Sequence, residues 1–379
     1  MSQIGRNILP DEDGVQSEPI QNVSQYIDRM NEYIGRRKTQ DCIYVYRGEP
    51  ENYSMPCRPN IFRKNVMSGN QYFEKSLFDS MRQNKLTGEK RYLDNAIDAQ
   101  HGEFPSRLLD VSYNCLTALY FAVTPYYHYR EDFLDDKDGM VFLFFIDEIF
   151  SPSAQNINDN YDAIINRDKE WYQNKAIFEK NLKFIDHTKL NNRIIAQQGA
   201  FILFPGDIPE SLSAGMGYGI LIPGKAKAGI RRELKMLFGI HTGNIYPEII
   251  NLVGELSSKS RKLNTDAFNC KNELLYAIKQ LDKELDYYLG YAVSKKQIDT
   301  ENMEQIITHI EHVVDSYRKG LIEFIIDYPK WSEPPIGEEE LKQVVEKYNQ
   351  IVKQFSEAAK QYAIGDFSEN ALLITLQFD

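Results

Sequence analysis

Three short segments of the chain combine arginine, histidine, glutamine and carboxylate side chains with glycine or proline. They are residues 44–48, 100–110 and 197–201. Polar side chains at the ends of predicted strands are typical of binding and catalytic sites, because a rigid scaffold positions the loops that carry function. These segments are therefore the candidate functional residues, and the rest of the chain must position them.

Arg47 is the first candidate for a ligand contact. Residues 42–47 alternate in character and are rich in β-branched and aromatic side chains, which predicts a strand that ends at Arg47 and Gly48. A guanidinium held there can donate two parallel hydrogen bonds to a phosphate or carboxylate. We predict that Tyr46, Arg47 and Gly48 bind substrate, with Gly48 letting a ligand approach the backbone. The alternative is that Arg47 pairs with a buried carboxylate such as Asp110.

His101 and Gln198 are the candidate catalytic residues. The unperturbed pKa of histidine lies near neutrality, so His101 could transfer a proton, bind a phosphate or hold a ribose hydroxyl, and a structural role is the alternative. Gln198 precedes Gly199 and an apolar strand, and could present its amide to a ligand. Arg193 is close to Gln198 in sequence and is predicted to neutralise substrate charge there.

Arg107 and Asp110 are also assigned to substrate binding, but each has a structural alternative. They flank two leucines, so they could pair with each other, or Asp110 could cap the helix that follows. For Asp110 we favour the structural role over a catalytic one. Arg107 is predicted to contact ribose or phosphate.

The composition limits the class of protein. The 379 residues exceed one average domain, and 42% hydrophobic with 26% charged residues is ordinary for a folded protein, so we expect two domains. The formal net charge of -11 argues against binding nucleic acid mainly by neutralising its phosphates.

The cysteines and the N-terminal sequence predict the compartment. The four cysteines form no CxxC pair, so neither a zinc ribbon nor a dense disulfide framework is indicated, and a reducing cytoplasm fits best. The N-terminus is acidic and polar, and no run of about 18 apolar residues occurs, so we predict no secretion signal and no membrane span.

Hydrophobic periodicity predicts an α+β fold, with a mixed sheet and surrounding helices. Residues 21–37 repeat apolar side chains at steps of three and four, which predicts an amphipathic helix that braces the domain. The charged, Asn-rich residues 151–190 are predicted to be an insertion or mobile loop. Further helices are predicted at 73–83, 88–100 and 115–123, and strands at 42–47, 139–146, 200–204 and 218–222.

The C-terminal part has a different pattern. Three long segments, at 264–293, 300–327 and 337–362, carry apolar residues at helical spacing and predict a helical module. Residues 371–378 are predicted to be a strand or a docking tail. His309 and His312 lie three residues apart, and we favour solvated side chains over a metal site. The predicted domains are 1–41, a leader with the bracing helix, then 42–255, then the helical 256–379.

The order of these motifs resembles the FRG domain, a bacterial and phage family named for its aromatic-Arg-Gly motif. The resemblance covers about 42–255. The sequence departs from the family pattern at Glu103, Ser106 and Val111, where apolar, threonine and aromatic residues are common; Val111 removes a ring that could stack on a ligand. The matching residues, in order, are Tyr46-Arg47-Gly48, 59–63, Glu74, 100–102, 105–110, 118–122 and 193–201.

The aromatic-Arg-Gly strand end is also similar to the first motif of Arg-Ser-Glu-type ADP-ribosyltransferases, whose arginine holds the nicotinamide dinucleotide. That resemblance implies a related α+β fold and NAD as a substrate. Those enzymes place a catalytic glutamate directly before a later apolar strand, where this chain has Gln197 and Gln198. Glu74, Glu103 and Glu233 are the other candidates for a carboxylate in the site.

Two classes of function follow from these resemblances. The first is an intracellular effector in phage defence or a toxin system that transfers or hydrolyses NAD. The second is a non-catalytic module that senses a nucleotide or a partner. The C-terminal helices could bind a protein target or drive assembly into oligomers. No resident cofactor and no metal are predicted. An enzyme should place a Glu or Asp carboxylate close to the Arg47 guanidinium, whereas a sensor needs only hydrogen-bond donors and stacking surfaces.

Overall fold

The computed structural model of the protein forms two compact units, Met1–Arg261 and Lys262–Asp379. The division falls close to the boundary predicted after residue 255. The residues that the structure describes are 19–36, 42–63, 70–87, 91–101, 104–125, 131–172, 175–186, 192–207, 212, 216–247, 253, 256–257, 259–261, 263–296 and 303–376, without the side chains of 99 and 101.

The first unit is built on a six-stranded sheet with the order β4-β5-β2-β1-β3-β6. The strands are β1 (Ile43–Glu49), β2 (Leu108–Ser112), β3 (Gly139–Ile146), β4 (Lys183–Ile185), β5 (Gly199–Leu203) and β6 (Gly217–Ile222). The helices are α1 (Val23–Arg36), α2 (Asn60–Arg63), α3 (Phe73–Gln83), α4 (Tyr92–His101), α5 (Cys115–Val123), α6 (Gln155–Asn166), α7 (Ala176–Glu179), α8 (Asn192–Gln197), α9 (Lys227–Phe238) and α10 (Thr242–Ile245).

The predicted α+β class is confirmed, but each ladder of the described strands is antiparallel, where a mixed sheet was expected. Parallel pairs need long crossover connections of the βαβ kind, and the chain has no regular βαβ rhythm. β3 lies inside the sheet between β1 and β6, and it is apolar on both faces, as its sequence predicts.

Helix α5 packs directly on the sheet at two glycines. A Cβ atom at Gly48 would lie 1.8 Å from the carbonyl oxygen of Ala118, and one at Gly139 would lie 2.3 Å from that of Ala122. The absence of a side chain at Gly48 therefore lets a helix approach the strand. The predicted contact of a ligand with the backbone of Gly48 stays a prediction.

Of the two alternatives predicted for 151–190, the mobile loop is wrong for the residues described there, and the insertion stays a prediction. They form α6, α7 and β4, and the side chains of Ile157, Tyr161 and Ile185 are fully buried in the core. The apolar residues of α6 recur at helical spacing between asparagines and aspartates, which hid the pattern.

Helix α1 braces the first unit, as predicted for residues 21–37. Its buried face contributes Val23, Tyr26, Met30 and Tyr33 to the same core as α5 and α9. The Tyr26 hydroxyl donates to the carbonyl of Cys115 at 2.8 Å. The backbone N–H of Val23 donates to Glu233 at 2.8 Å, so the Glu233 carboxylate binds the start of α1.

The second unit is helical, as predicted. Three long helices share one hydrophobic core, and a short helix follows them: α11 (Cys270–Lys296), α12 (Met303–Asp327), α13 (Glu338–Gln361) and α14 (Glu369–Leu372).

The chain end docks on this bundle. The side chain of Asn349 exchanges two hydrogen bonds with the backbone of Ile374, at 2.8 and 2.9 Å. Residues 371–378 were predicted to be a strand or a docking tail, and over the described residues a helix and a docked extended segment are found.

His309 and His312 are both exposed on α12, and a ring nitrogen of His309 lies 3.1 Å from the Tyr288 hydroxyl. Within the described ranges, no cluster of three or more His, Cys, Asp or Glu could hold a metal ion. Likewise, no helix among these residues is long and apolar enough to cross a membrane.

Candidate functional site

A cleft of about 400 Å³ opens in the first unit between two neighbouring strands. Strands β1 and β2 are registered at one pair, Tyr46 opposite Ser112, whereas β1 pairs with β3 through all of its seven residues. Beyond that pair, Arg47 to Glu49 line the cleft from one strand, and Leu108 to Val111 line it from the other. The two strand segments identified in the sequence therefore meet at one site.

Arg47 spans the gap between the two strands. Its Nε donates to Glu49 at 3.0 Å, and its Nη1 donates to the backbone carbonyl of Asp110 at 2.7 Å. No described residue accepts a hydrogen bond from Nη2. Burial acts to lower the pKa of Arg47, but Glu49 and Asp110 raise it above its ordinary value. The guanidinium is thus charged, fixed in place and able to donate to a ligand.

Glu49 organises the wall of the cleft on the β1 side. Its carboxylate is 1% exposed and accepts hydrogen bonds from Arg47, from Nη2 of Arg63 at 2.6 Å and from the backbone N–H of Cys57 at 3.1 Å. The Arg63 guanidinium also lies over the Tyr53 ring, 4.4 Å from its centroid. One carboxylate therefore holds two arginines at the cleft.

Arg58 adds a further positive charge to the same wall. It is half-buried, lines the cleft and forms no ion pair with a carboxylate in the described part of the chain. Burial and the neighbouring charge of Arg63 lower the pKa of Arg58. Among the described residues, those that are charged and line the cleft carry an excess of positive charge: they are Arg47, Arg58, Arg63, Arg193, Glu49 and Asp110.

Asp110 presents its carboxylate to the cleft. The side chain is solvent-accessible and makes no hydrogen bond or ion pair with any described residue. Partial loss of hydration in this concave site raises the pKa of Asp110, against the opposing effect of Arg47 and Arg193. Asn114 caps α5 instead, since its side chain accepts from the N–H groups of Leu116 and Thr117. The expected capping role of Asp110 is therefore wrong.

The third sequence segment also contributes to the cleft through Gln197, and Arg193 shortly before it does the same. Arg193 is buried, lines the cleft and lies over the Tyr246 ring at 4.8 Å from its centroid. Gln197 lines the cleft and donates to the carbonyl of Ile245 at 3.2 Å. Gln198 has a left-handed backbone with φ 47°, is exposed and does not line the cleft, so its predicted contact with a ligand has no support in this geometry.

Arg107 lies outside the cleft. It is 1% exposed; its Nε donates to Glu74 at 2.6 Å and its backbone N–H donates to the same carboxylate at 3.0 Å. Its Nη1 donates to three consecutive carbonyls of residues 204–206, and Tyr161 donates to Glu74 at 2.8 Å. The structure thus gives Arg107 and Glu74 a role in the core. Neither the proposed contact of Arg107 with ribose or phosphate nor its pairing with Asp110 is found.

The second segment brings Gln100 to the cleft. Its side-chain nitrogen donates to the Ser106 hydroxyl at 2.8 Å and to the carbonyl of Leu108 at 2.6 Å, which fixes the start of β2. His101 is the last residue of α4, but its side chain is outside the described part, as is all of Glu103. The catalytic role of His101 stays a prediction.

Sequence reasoning missed Arg58, Tyr53 and Gln197 as cleft residues. The proline-punctuated segment around Arg58 carries no periodic pattern, so nothing there indicates which side chains face inward. Arg63 belonged to a matching motif, but its function depends on Glu49, fourteen residues earlier, which the sequence does not relate to it.

Lys227 ties together two parts of the cleft wall from outside. Its buried ammonium donates to the carbonyls of Pro50 and Leu134 at 2.7 and 2.8 Å, and both of those residues line the cleft. Burial lowers the pKa of Lys227 to about 8. The neutral amine keeps two N–H donors, so both hydrogen bonds can persist after deprotonation.

We expect Lys227→Met to destabilise the first unit by roughly 1–3 kcal/mol at pH 7, because it leaves two carbonyls without a donor. The free energy of unfolding of the wild type should rise as the pH increases from about 8, the lowered pKa, to 10.5, the ordinary lysine value. In this range the unfolded chain binds a proton that the folded chain has lost. Urea unfolding at pH 7 to 10 measures both effects. Lys225→Met, at an exposed position, is the control. If the free energy of unfolding changed equally with pH in the wild type and in Lys227→Met, the lowered pKa would not belong to Lys227.

Fold and site together define an α+β domain whose antiparallel sheet opens into an arginine-lined cleft. Residues 43–131 match the FRG domain family, so the chain contains an FRG domain that runs from β1 past α5. The match includes Arg47, Arg58, Arg63 and Asp110 and confirms the resemblance; its predicted extension to residue 255 stays a prediction. No curated protein and no solved structure matches the chain.

Proposed function

We propose that the cleft binds a nucleotide-like anionic ligand, with a nicotinamide dinucleotide as the leading case, and that the protein transfers or hydrolyses it. The observation that carries this proposal is the Asp110 carboxylate, which has no partner among the described residues and lies in a cleft lined by four arginines. Asp110 would supply the carboxylate that an enzyme needs near Arg47, although no glutamate stands directly before β5.

Binding would depend on the arginines. Arg47 has Nη2 available, and its other nitrogens are held by Glu49 and by the Asp110 carbonyl, so the donor is already oriented when a ligand arrives. A guanidinium matches the oxygens of a phosphate. Its hydrogen bonds to the phosphate contribute more to binding in a site where the protein replaces water. The acidic net charge of the whole chain does not oppose this, because the positive charge is local to the cleft.

The chemistry assigned to Asp110 is electrostatic. Cleavage of the bond between nicotinamide and ribose leaves positive charge on the ribose carbon, since nicotinamide departs with the bonding electrons, and a nearby carboxylate stabilises that charge. Water or a nucleophile on a target then adds to the same carbon and loses its proton. Only ionised Asp110 can act in this way, so its raised pKa predicts that activity falls as the pH drops towards acid values.

The biological setting follows from the resemblance to bacterial and phage proteins. We place the activity inside the cell, in phage defence or in a toxin system, with the C-terminal helical unit binding a target or partner. The alternative is a non-catalytic sensor that uses the same cleft. The observation that favours it is Gln197, whose neutral amide lines the cleft two residues before β5, where a catalytic glutamate would stand.

The test compares wild type with Asp110→Asn and Arg47→Ala. Each protein is incubated with NAD and cell lysate, and nicotinamide release and covalent labelling are followed by mass spectrometry. We expect Asp110→Asn to lose turnover by about 100-fold or more while NAD binding is kept, in the range seen when one group that stabilises transition-state charge is removed. Arg47→Ala should lose binding as well.

Asp168→Asn, which alters an exposed aspartate beside Lys169, is the matched control and should keep full turnover. Thermal unfolding of every variant verifies that it is folded. Binding of NAD by the wild type without turnover would refute the enzyme proposal and support the non-catalytic sensor. Turnover that Asp110→Asn leaves intact would remove Asp110 from the mechanism.

A further inference from the structure

The wall of the cleft on the β1 side carries more positive charge than its own carboxylate can neutralise. Glu49 is shared between Arg47 and Arg63, which bind the same oxygen at 3.0 and 2.6 Å. Arg58 has no carboxylate partner within the described ranges. Two arginines therefore share one buried carboxylate, and Arg58 adds a third positive charge to the same wall.

Besides the shared Glu49 carboxylate, each of the two held arginines has a further anchor of its own. Nε of Arg63 donates to the carbonyl of Arg58 at 2.9 Å, and its ring contact with Tyr53 fixes the plane of the guanidinium. Arg47 is fixed across the gap by the Asp110 carbonyl. Nη1 of Arg63 and Nη2 of Arg47 both lack an acceptor among the described residues, so each anchored side chain keeps one nitrogen for a ligand.

The protein environment of Arg58 is unfavourable for its positive charge. It is half-buried beside the like charge of Arg63, and both effects work against the charged guanidinium. A partly buried charge without a counterion is costly, and a bound anion relieves that cost. Arg58 and Arg63 thus form a cationic pair that a bound anion would stabilise, in addition to any anion that Arg47 binds.

We propose that Arg58 and Arg63 form a phosphate subsite separate from that of Arg47, and that the cleft selects ligands with two linked phosphates over monophosphates. This inference rests on the proposed function, because it assigns two phosphate positions within the same cleft. Arg47 and Arg63 donate to one oxygen of Glu49, so their remaining nitrogens lie on neighbouring guanidiniums. The ligand class is a nucleoside diphosphate or a dinucleotide joined by a diphosphate.

The test measures binding of ADP and AMP by isothermal titration calorimetry at fixed ionic strength, with inorganic pyrophosphate and phosphate as the smallest probes. We expect the wild type to bind ADP at least tenfold more tightly than AMP. Arg58→Gln should weaken the affinity for ADP about tenfold or more and leave the affinity for AMP within twofold, so that the preference for ADP disappears. Arg58→Lys keeps the charge without the planar fork and should recover part of the ADP affinity.

Arg91→Gln is the matched control, since Arg91 is half-exposed and pairs with Asp94 outside the cleft. Thermal unfolding confirms that each variant is folded. Equal affinities for ADP and AMP in the wild type, no binding of either, or an equal loss of both in Arg58→Gln would overturn the subsite. A diphosphate preference that depends on Arg58, without release of nicotinamide from NAD, would support the subsite while refuting the enzyme.

Discussion

Replacing Glu74 by glutamine should destabilise the first unit by about 3–5 kcal/mol, the range for breaking a buried ion pair. The substitution leaves the fully buried Arg107 guanidinium without its close counterion, since the partly exposed Asp207 carboxylate lies 3.8 Å from Nη2. The backbone carbonyls of residues 204–206 remain as its hydrogen-bond acceptors. The substitution also weakens the acceptor for the Tyr161 hydroxyl. Removing both charges in Glu74→Gln with Arg107→Met should recover part of the loss, because no unpaired buried charge then remains.

Unfolding of the first unit can be followed separately. The chain has two tryptophans, so a Trp331→Phe background leaves Trp171, which packs against Tyr172 and Phe178, as the only tryptophan reporter. Asp79→Asn is the control, because it breaks the partly exposed pair with Arg82 and should cost no more than about 1 kcal/mol. A loss below that value for Glu74→Gln would show that the buried pair does not hold this core together.

Gly48→Ala should destabilise the same unit by roughly 3 kcal/mol or more, at or above the upper end of the cost of overpacking. The new methyl group would meet the backbone of α5 at Ala118 and Ala122, and a helix backbone cannot turn aside as a side chain can. The displacement would also shift the adjacent Arg47. We therefore expect nucleotide binding to be lost together with stability.

Gly219→Ala is the matched comparison, also within the sheet. Its added Cβ would lie 3.1 Å from the end of the Met140 side chain, which can move, so the cost should stay below about 1 kcal/mol. Denaturant unfolding in the Trp331→Phe background measures both variants. A similar, small effect at the two glycines would contradict the close packing of α5 on β1.

Much of the fold follows from local patterns in the sequence. The alternation of residues 42–47 predicts β1 and its end beside Arg47, and helical spacing predicts α1 and the three long C-terminal helices. The pattern failed for α6, where asparagines and aspartates interrupt the buried positions. At the chain end the pattern left a strand and a docking tail as alternatives, and the side chain of Asn349 docks the last described residues.

The cleft is less predictable because it depends on contacts between distant residues. Glu49 joins Arg47 to Arg63 only after α2 folds back on β1, and no local signal encodes that contact. At the third segment, one left-handed residue, Gln198, determines which of two neighbouring glutamines reaches the cleft. One error was avoidable: Arg107 and Asp110 are three positions apart, so in an extended segment they lie on opposite faces and cannot pair.

The opening between β1 and β2 also gives the sheet two inner edges. Unpaired strand backbone is a template for pairing with another chain, and proteins often protect such edges with charged side chains. Here the Arg47 guanidinium occupies the carbonyl of Asp110, and the surrounding arginines make the gap hydrophilic and cationic. The residues that would attract an anionic ligand therefore also oppose insertion of a foreign strand, so their neutralisation would affect aggregation as well as binding.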